Sequence, residues 1–532
     1  MRYLLKANAR ITPQSQPIPG TKQVPNSAGG YAWAVDDWTR LDRFLILGSE
    51  RGSYYASERK LTLENAEAVG RCVDADGLRV VSRVVEISQA GRAPKNDPAL
   101  FVLALCAGLG NDATRAAAYA ALPQVARIGT HLFHFLAYVE GFRGWGRGLR
   151  RAVAAWYNHL PATDLAYQAI KYQRRDGWGH RDALRLAHPQ AASEQHNAIF
   201  HWITRGWPDI GADPHPDEAL RVLWAFERIQ RVGREQDVVA LIRDYNLPRE
   251  AVPTQWLTSA KVWEALLERM PMEAMVRNLA TMTRVGLLTR RGAATAIVGQ
   301  RLRDRERLQR ARLHPIKLLA ALTTYRQGRG MRSQESWEPV TSVVDALNDA
   351  FYLAFQAVEP TGKHMVLALD VSGSMSWGSI AGVPGLTPRI GAAAMALVTA
   401  ATEQNWTVVA FSHQMVPVQI SPRQRLDDVL AKVDKIPMGG TDCALPMLWA
   451  LEQRLRADAF VVYTDSETWY GQIHPAQALR QYRERTGIPA KLVVVGMVSN
   501  QFSIADPNDG GMLDCVGFDT AAPALIADFV RG

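Results

Sequence analysis

Residues 365–377 read MVLALDVSGSMSW, an apolar run that passes straight into Asp370, Ser372 and Ser374. Three oxygen-bearing side chains on alternate residues, with Gly373 between two of them, could bind a hard cation, present a nucleophile or cap a turn. A phosphate cradle needs a glycine-rich loop ending in Lys-Ser/Thr, which is absent. A nucleophile elbow needs G-x-S-x-G, and Trp377 stands where the second glycine belongs. Two further segments supply matching groups. AFVVYTD (459–465) is a second apolar run ending in an aspartate, Asp465, and MGGTDC (438–443) offers Thr441 behind two glycines. Two carboxylates and three hydroxyls, with no His or Cys, are ligands for a hard cation. Mg²⁺ suits them best, with Mn²⁺ or Ca²⁺ as alternatives. The bland reading is that Ser372 and Ser374 merely cap the next turn.

These groups need elements that bring them to one edge. HMVLALD (364–370), WTVVAFS (406–412), AFVVYTD (459–465) and KLVVVGM (491–497) are short Val-rich runs. They alternate with helical stretches at 389–404, 442–456 and 475–487, which predicts a parallel sheet with helices on both faces. In such a sheet ligands bind outside the carboxyl ends of the strands, where Asp370 and Asp465 fall. The D-x-S-x-S pentad with a distant Thr and a distant strand-end Asp resembles the metal-ion-dependent adhesion site of von Willebrand factor A domains. The resemblance covers about 360–532. It implies that Asp370, Ser372, Ser374, Thr441 and Asp465 hold the cation, that a partner's carboxylate completes its shell, and that the site binds rather than catalyses.

The preceding 358 residues have another texture. Residues 1–60 are punctuated by Pro, Gly and Ser. Three-to-four-residue apolar spacing then recurs in 97–110, 112–126, 129–142, 217–230, 235–245 and 259–270, often behind an Asp, Ser or Thr suited to an N-cap. Lengths of roughly 11–16 residues with short connections predict stacked helix pairs of HEAT type. The linker composition of EPTGKH (359–364) divides the chain into a helical domain, 1–358, and an α/β domain, 359–532.

Charge is uneven. The 532-residue chain is formally +9, yet residues 361–532 hold 13 Lys and Arg against 16 Asp and Glu, so the basic excess lies in the first 360 residues. An anionic partner is expected there. Arg147, Arg150 and Arg151 share i, i+3, i+4 spacing, as do Lys171, Arg174 and Arg175, so each triplet is expected on one helix face. Arg181, His180 and His188 add donors. Trp145, Trp156, Tyr157, Tyr172 and Trp178 are interleaved, as in surfaces that bind single-stranded RNA, although aromatic residues at helical spacing are more simply core. RLRDRERLQRAR (301–312) mixes in Asp304 and Glu306 and reads as a solvated helix laced with ion pairs.

Composition sets the remaining bounds. Apolar residues make up 47 % of the chain, enough for large cores. No long apolar run predicts a transmembrane helix, and the polar start argues against a secretory signal. Cys72, Cys106, Cys443 and Cys515 form no CxxC pair and read as reduced thiols of a cytoplasmic protein.

Five segments carry a wider resemblance: QVPNSAGGYAWAVDDWTRLDRFLILGSERGSYYASE (23–58), GWGRGLRRAVAAWYN (144–158), KYQRRDGWGHRDALRLAHP (171–189), VWEALLERMPMEAMVRNLATMT (262–283) and HPIKLLAALTTY (314–325). They resemble the TROVE domain of the Ro autoantigen family, whose members carry a von Willebrand A-like domain after it, as expected here. The resemblance implies a ring of HEAT-like helical repeats with a central hole, followed by a Rossmann-like α/β domain. It implies a monomeric, non-enzymatic ribonucleoprotein scaffold. Such a scaffold binds Y-type small RNAs outside and the single-stranded 3′ ends of misfolded or structured RNAs through the hole. For bacterial relatives it implies work with a 3′ exoribonuclease such as polynucleotide phosphorylase. Lys171, Arg174, Arg175, His180 and Arg181 match the family's segment and are the first RNA contacts expected, with Arg147, Arg150 and Arg151 next. Two other functions compete: a metal-dependent protein scaffold without RNA, and a Mg²⁺-dependent ribonuclease using Asp370 and Asp465.

Overall fold

The computed structural model describes the chain apart from residues 1–10, 49–57, 208–210, 212, 331–334, 356–357, 381–384, 417, 419 and 422–423. Part of the 23–58 segment therefore lies outside the described residues. The strands, in chain order, are β1 (Val24–Pro25), β2 (Tyr31–Ala34), β3 (Arg174–Arg175), β4 (Trp178–Gly179), β5 (His364–Asp370), β6 (Asn405–Phe411), β7 (Met415–Val416), β8 (Ala459–Thr464), β9 (Lys491–Gly496), β10 (Phe502–Ser503) and β11 (Met512–Val516).

The compact units divide the chain at 354/355 and again at 69/70, so the expected helical domain 1–358 gives up its first 69 residues to the other unit. Residues 70–354 form one, and the described part of the first 69 residues joins residues 355–532 in the other. The reason is a set of contacts between positions more than 330 apart. β2 pairs antiparallel with β10, Ala34 opposite Phe502 and Trp33 opposite Ser503. Trp33 and Ile18 are buried in the same core as Val366, Phe460 and Leu492. In the helix Asp37–Leu47, Arg43 reaches Asp514 with Nη2 at 2.8 and 2.7 Å and gives Nη1 to the carbonyls of Asn500 and Phe502 at 2.8 and 2.9 Å. A buried guanidinium needs most of its donors satisfied, and here both Nη groups are taken by carbonyls and the two Asp514 oxygens, while Nε has no protein partner.

The α/β unit has a six-stranded sheet in the order β11-β9-β8-β5-β6-β7. All neighbours are parallel except β7, which turns back antiparallel on β6 after Ser412 N–H bonds Gln414 O. The sheet is thus mixed at one edge rather than wholly parallel. Side chains alternate between faces. Val366, Ala368, Phe460, Val462, Leu492 and Val494 pack with the helices Leu445–Glu452 and Pro475–Thr486. The Tyr463 hydroxyl meets Thr399 Oγ1 of the helix Pro388–Thr402, nearly all of which is buried. Burying both faces leaves only the strand ends open, and that places the site.

The other unit is helical, as expected, with one short hairpin, β3–β4. Several helices pack in pairs: Ala162–Lys171 with Glu218–Ile229, Glu235–Tyr245 with Ala260–Arg269, and Pro315–Gln327 with Thr341–Leu353. Side-chain caps start many of them. Ser193 accepts from His196 N, Asp217 from Ala219 N and Ser259 from Val262 N. The array returns on itself. His314 Nε2–H donates to Arg92 O at 3.0 Å while its Nδ1 accepts from Ile316 N at 3.1 Å, joining positions 222 apart. All four cysteines are buried and free. No described helix is long and apolar enough to cross a membrane.

Candidate metal centre and basic surfaces

β5 and β8 lie side by side, so their carboxyl ends bring Asp370 and Asp465 together. Asp370 Oδ1 accepts Ser372 N–H at 2.9 Å, and Oδ2 accepts the Thr464 hydroxyl at 2.6 Å. The Ser372 and Ser374 hydroxyls are 3.2 Å apart. Asp465 Oδ1 accepts Glu467 N–H at 3.1 Å. The loop carrying Thr441 is tied in by Gly373 N–H to Gly439 O at 3.2 Å and by Trp469 N and Tyr470 N to Thr441 O at 3.1 and 3.0 Å. Asp370, Ser372, Ser374, Thr441 and Asp465 are all buried. The five expected ligands thus share one buried pocket of oxygen atoms.

Two features of this cluster are unbalanced by protein groups alone. Burial first, and then the neighbouring Asp465, raises the Asp370 carboxyl above the ordinary range. Burial raises Asp465 likewise. The Thr441 hydroxyl is buried with no hydrogen-bond partner among protein groups. A buried hydroxyl without a partner costs about 1–3 kcal/mol, and a cation is one way to satisfy it. Among the described residues no group of three or more His, Cys, Asp or Glu is placed to hold a metal.

Sequence reasoning missed what surrounds the pocket. Trp377, Trp469 and Tyr470 are the exposed aromatics among the described residues, and Met438 is exposed beside them in sequence to Gly439. Gly440 is hemmed in by this rim, since a Cβ there would lie 3.1 Å from both the Trp469 and Tyr470 rings. A third carboxylate, Glu467, and the N-terminal residues that hold it were also unseen.

The basic residues divide. Arg147, Arg150 and Arg151 are exposed on the helix Arg147–His159, and no described carboxylate pairs with them. Lys171, Arg174 and Arg175 do not form a helical triplet. The helix Ala162–Lys171 ends at Lys171, and Arg174 and Arg175 form β3. Asp176 (φ 50°) and Gly177 (φ 82°) make the tight turn to β4, a conformation that Asp-Gly favours. Arg174 lies 3.9 Å from Asp182 and Arg175 3.6 Å from Asp176, both pairs largely open to solvent. His180 is no surface donor. It is buried against Phe133 and Trp156 with Nδ1 2.8 Å from the Tyr157 hydroxyl, and burial pushes its pKa down to about 4. Trp156, Tyr157 and Trp178 are buried too, so the interleaved aromatics are mainly core.

Arg181 is exposed at the start of the helix His180–Ala187. With Arg174, Arg185 and Arg205 it lines a cavity of about 580 Å³ that also takes in Gln173 and Trp202. Arg205, at the end of the helix Glu194–Arg205, lay outside the basic stretch seen in sequence. Lys171 faces elsewhere. It is half-buried over Tyr167 and Tyr172, 5.4 Å from each ring centroid, and feels Glu250, Glu273 and Arg277. Lys317 bonds Glu273 at 2.8 Å. The 301–312 stretch is ion-paired as expected, Arg307 with Asp304 at 3.0 Å and Arg310 with Glu306 at 3.6 Å.

A sheet with this oxygen site at its carboxyl edge, in one chain with a self-returning helical array, defines a von Willebrand factor A-type unit joined to a helical TROVE-type unit. The model of the Ro60 vWA domain matches residues 364–530, and that of the TROVE domain matches 24–212 and 244–324. A Deinococcus radiodurans protein named RNA-binding protein RO60 is 44 % identical over 536 residues, all of both chains. A Caenorhabditis elegans protein of the same name is 36 % identical over 96 % of this chain and 90 % of its own. The crystal structure of the Deinococcus radiodurans RO (RSR) protein superposes with a TM-score of 0.70 at 45 % identity, covering 93 % of this chain and all of that one. The chain belongs to the Ro60 family.

Proposed function

We propose that this protein is an RNA-binding scaffold that acts in RNA quality control, decay or ribosomal RNA maturation. The observation that carries the reading is the set of exposed arginines with few local partners. Arg147, Arg150 and Arg151 stand on one helix, and Arg174, Arg181, Arg185 and Arg205 surround a cavity large enough for a nucleotide. Apart from Arg174, which lies 3.9 Å from Asp182, these guanidinium groups pair with no described carboxylate and can take phosphates, and the gain is released counterions. The chain's similarity to proteins named RNA-binding supports the same reading.

In this reading the exposed arginines take a folded, Y-type RNA. A single-stranded 3′ end runs past Lys171, Arg277 and Lys317, which come from helices far apart in sequence and are coupled through Glu273. Selection then rests on shape and a free end rather than base sequence. A 3′ exoribonuclease such as polynucleotide phosphorylase is a fitting partner. Buried free thiols suit a cytoplasmic protein.

The α/β unit supplies a second kind of contact. Mg²⁺, or Mn²⁺ or Ca²⁺ in its place, would be held by Asp370, Ser372, Ser374, Thr441 and Asp465, and the orphaned Thr441 hydroxyl supports the fit. When bound, the cation offers an open position to a carboxylate of a protein partner. The aromatic rim is the surface beside it, and the unit's slight acidic excess disfavours a polyanion there. Catalysis is disfavoured because phosphodiester hydrolysis by paired metals needs more bridging acids than the two carboxylates provide.

The test is a gel-shift titration at several salt concentrations with a hairpin bearing a single-stranded 3′ tail and the same hairpin blunt-ended. Tail-dependent, salt-sensitive binding that weakens when Lys171, Arg174 and Arg175 become Ala is expected. Equal, salt-insensitive binding of both probes would overturn the reading. RNA turnover in Mg²⁺ that disappears in Asp370→Ala would favour the ribonuclease instead.

A further inference from the structure

We infer that residues 13–31 are a positioning strap for the metal centre, and that Gln14 and Asn26 set its cation affinity. The inference rests on the metal reading given above.

Gln14 spans the two loops that carry Thr441 and Asp465. Its Nε2 donates to Asp442 Oδ1 at 2.7 Å and to Ile473 O at 2.8 Å. Its Oε1 accepts from the Thr468 hydroxyl and from Gly471 N at 3.2 Å. The backbone repeats the pattern, with Gln14 N–H to Gly471 O and Tyr31 N–H to Gln14 O, both 2.9 Å. Gln14 is wholly buried, so all of its amide capacity is spent on this junction. Asp442 follows Thr441 directly. Thr468 lies three residues past Asp465, and its hydroxyl also accepts Cys443 N–H at 3.2 Å.

Asn26 fixes the other side. Its Nδ2 donates to Thr468 O at 2.8 Å, while its Oδ1 folds the strap by accepting from Ala28 N and Gly30 N at 3.1 and 2.9 Å. That fold aims two backbone amides at a carboxylate. Ser27 N and Ala28 N donate to Glu467 Oε2 at 2.9 and 3.2 Å. Glu467 stands two residues from Asp465 and is buried. The strap therefore gives this third acid donors of its own, leaving two carboxylates and three hydroxyls for the cation. Gly30 permits the close approach. A Cβ there would fall 1.9 Å from Thr468 O.

Groups that orient metal ligands are typically worth about 10–100-fold in metal affinity. The experiment is Mn²⁺ binding to the full chain, followed by electron paramagnetic resonance, with the melting temperature measured alongside. Gln14→Ala and Asn26→Ala should each weaken Mn²⁺ binding about tenfold or more. Arg483→Lys serves as the control. Its guanidinium bonds Ala490 O at 2.7 Å and Asp509 Oδ2 at 2.6 Å, away from both loops, so it should lower the melting temperature and leave Mn²⁺ affinity within about twofold. Gly30→Ala tests the strap without deleting a hydrogen-bonding group and should also weaken binding. Mn²⁺ affinity unchanged in the strap variants but abolished in Asp370→Ala would overturn the inference and spare the metal reading. A loss of affinity that merely tracks melting temperature, in Arg483→Lys as in Gln14→Ala, would also overturn it. Wild-type protein that binds no Mn²⁺ at all would overturn the metal reading itself.

Discussion

Replacing Arg147, Arg150 and Arg151 together with Ala asks the exposed helix face a quantitative question. All three are exposed and no described carboxylate pairs with them, so their charges are not already spent within the protein. If each meets one phosphate of a structured RNA, the slope of log K against log salt should fall by about 0.9 per contact, or about 2.7 for the three. Between 50 and 200 mM salt, a fourfold range, that difference is about 1.6 logarithmic units. The ratio of wild-type to variant affinity should therefore be about 40-fold larger at the lower salt. Arg307→Ala with Arg310→Ala is the matched control. Those side chains are paired with Asp304 and Glu306, so the slope should move by well under one. Fluorescence anisotropy with a labelled hairpin at five salt concentrations gives both slopes. Equal slopes for wild type and triple variant would refute the assignment of this helix face, whatever the affinities at one salt.

Other consequences are independent of RNA. Arg43→Ala leaves Asp514 facing a buried gap and should cost about 3–5 kcal/mol in urea unfolding of the α/β unit. His180 is neutral and buried with a folded pKa of about 4, below its unfolded value of about 6.5. The unfolded chain takes up the proton first, so this histidine's contribution is complete above about pH 6.5 and is lost as pH falls toward 4. Between pH 7 and 5 that is about 2 kcal/mol, read as a difference in pH dependence between wild type and His180→Gln. Thr441→Val keeps the shape and removes the orphaned hydroxyl. Isothermal titration with Mg²⁺ should show about tenfold weaker binding, and an unchanged Kd would remove Thr441 from the ligand set.

The oxygen site was legible because its geometry follows from local rules. Alternating serines behind a strand, a strand-end aspartate and a threonine ahead of a helix need only a parallel sheet to meet, and the Val-rich runs announced that sheet. The helical array was legible from periodicity and caps. The Lys171–Arg174–Arg175 triplet was misread because i, i+3, i+4 spacing was weighed without the Asp176–Gly177 turn signal that follows it. His180 was misread because a histidine among arginines looks exposed, while its neighbours Phe133 and Trp156 lie 47 and 24 positions earlier. The strap was illegible for a plainer reason. QVPNSAGG advertises a turn, but nothing in it names the loop at 465–471 as the surface it closes on.

The pairing of β2 with β10 has a consequence for how the molecule is made. Its two strands leave the ribosome about 470 residues apart, one near the beginning of synthesis and the other near its end. The helical unit is one continuous stretch between them, so it can assemble while the chain is still growing. The α/β unit cannot: Gln14 must wait for residues 442–473, and Trp33 and Arg43 for the last strands. In topology the helical array is an insertion into the other unit rather than a domain placed before it. A nascent chain stalled before residue 500 would hold a finished helical array and an unclosed sheet, with β2 and Arg43 still waiting for their partners at 500–514.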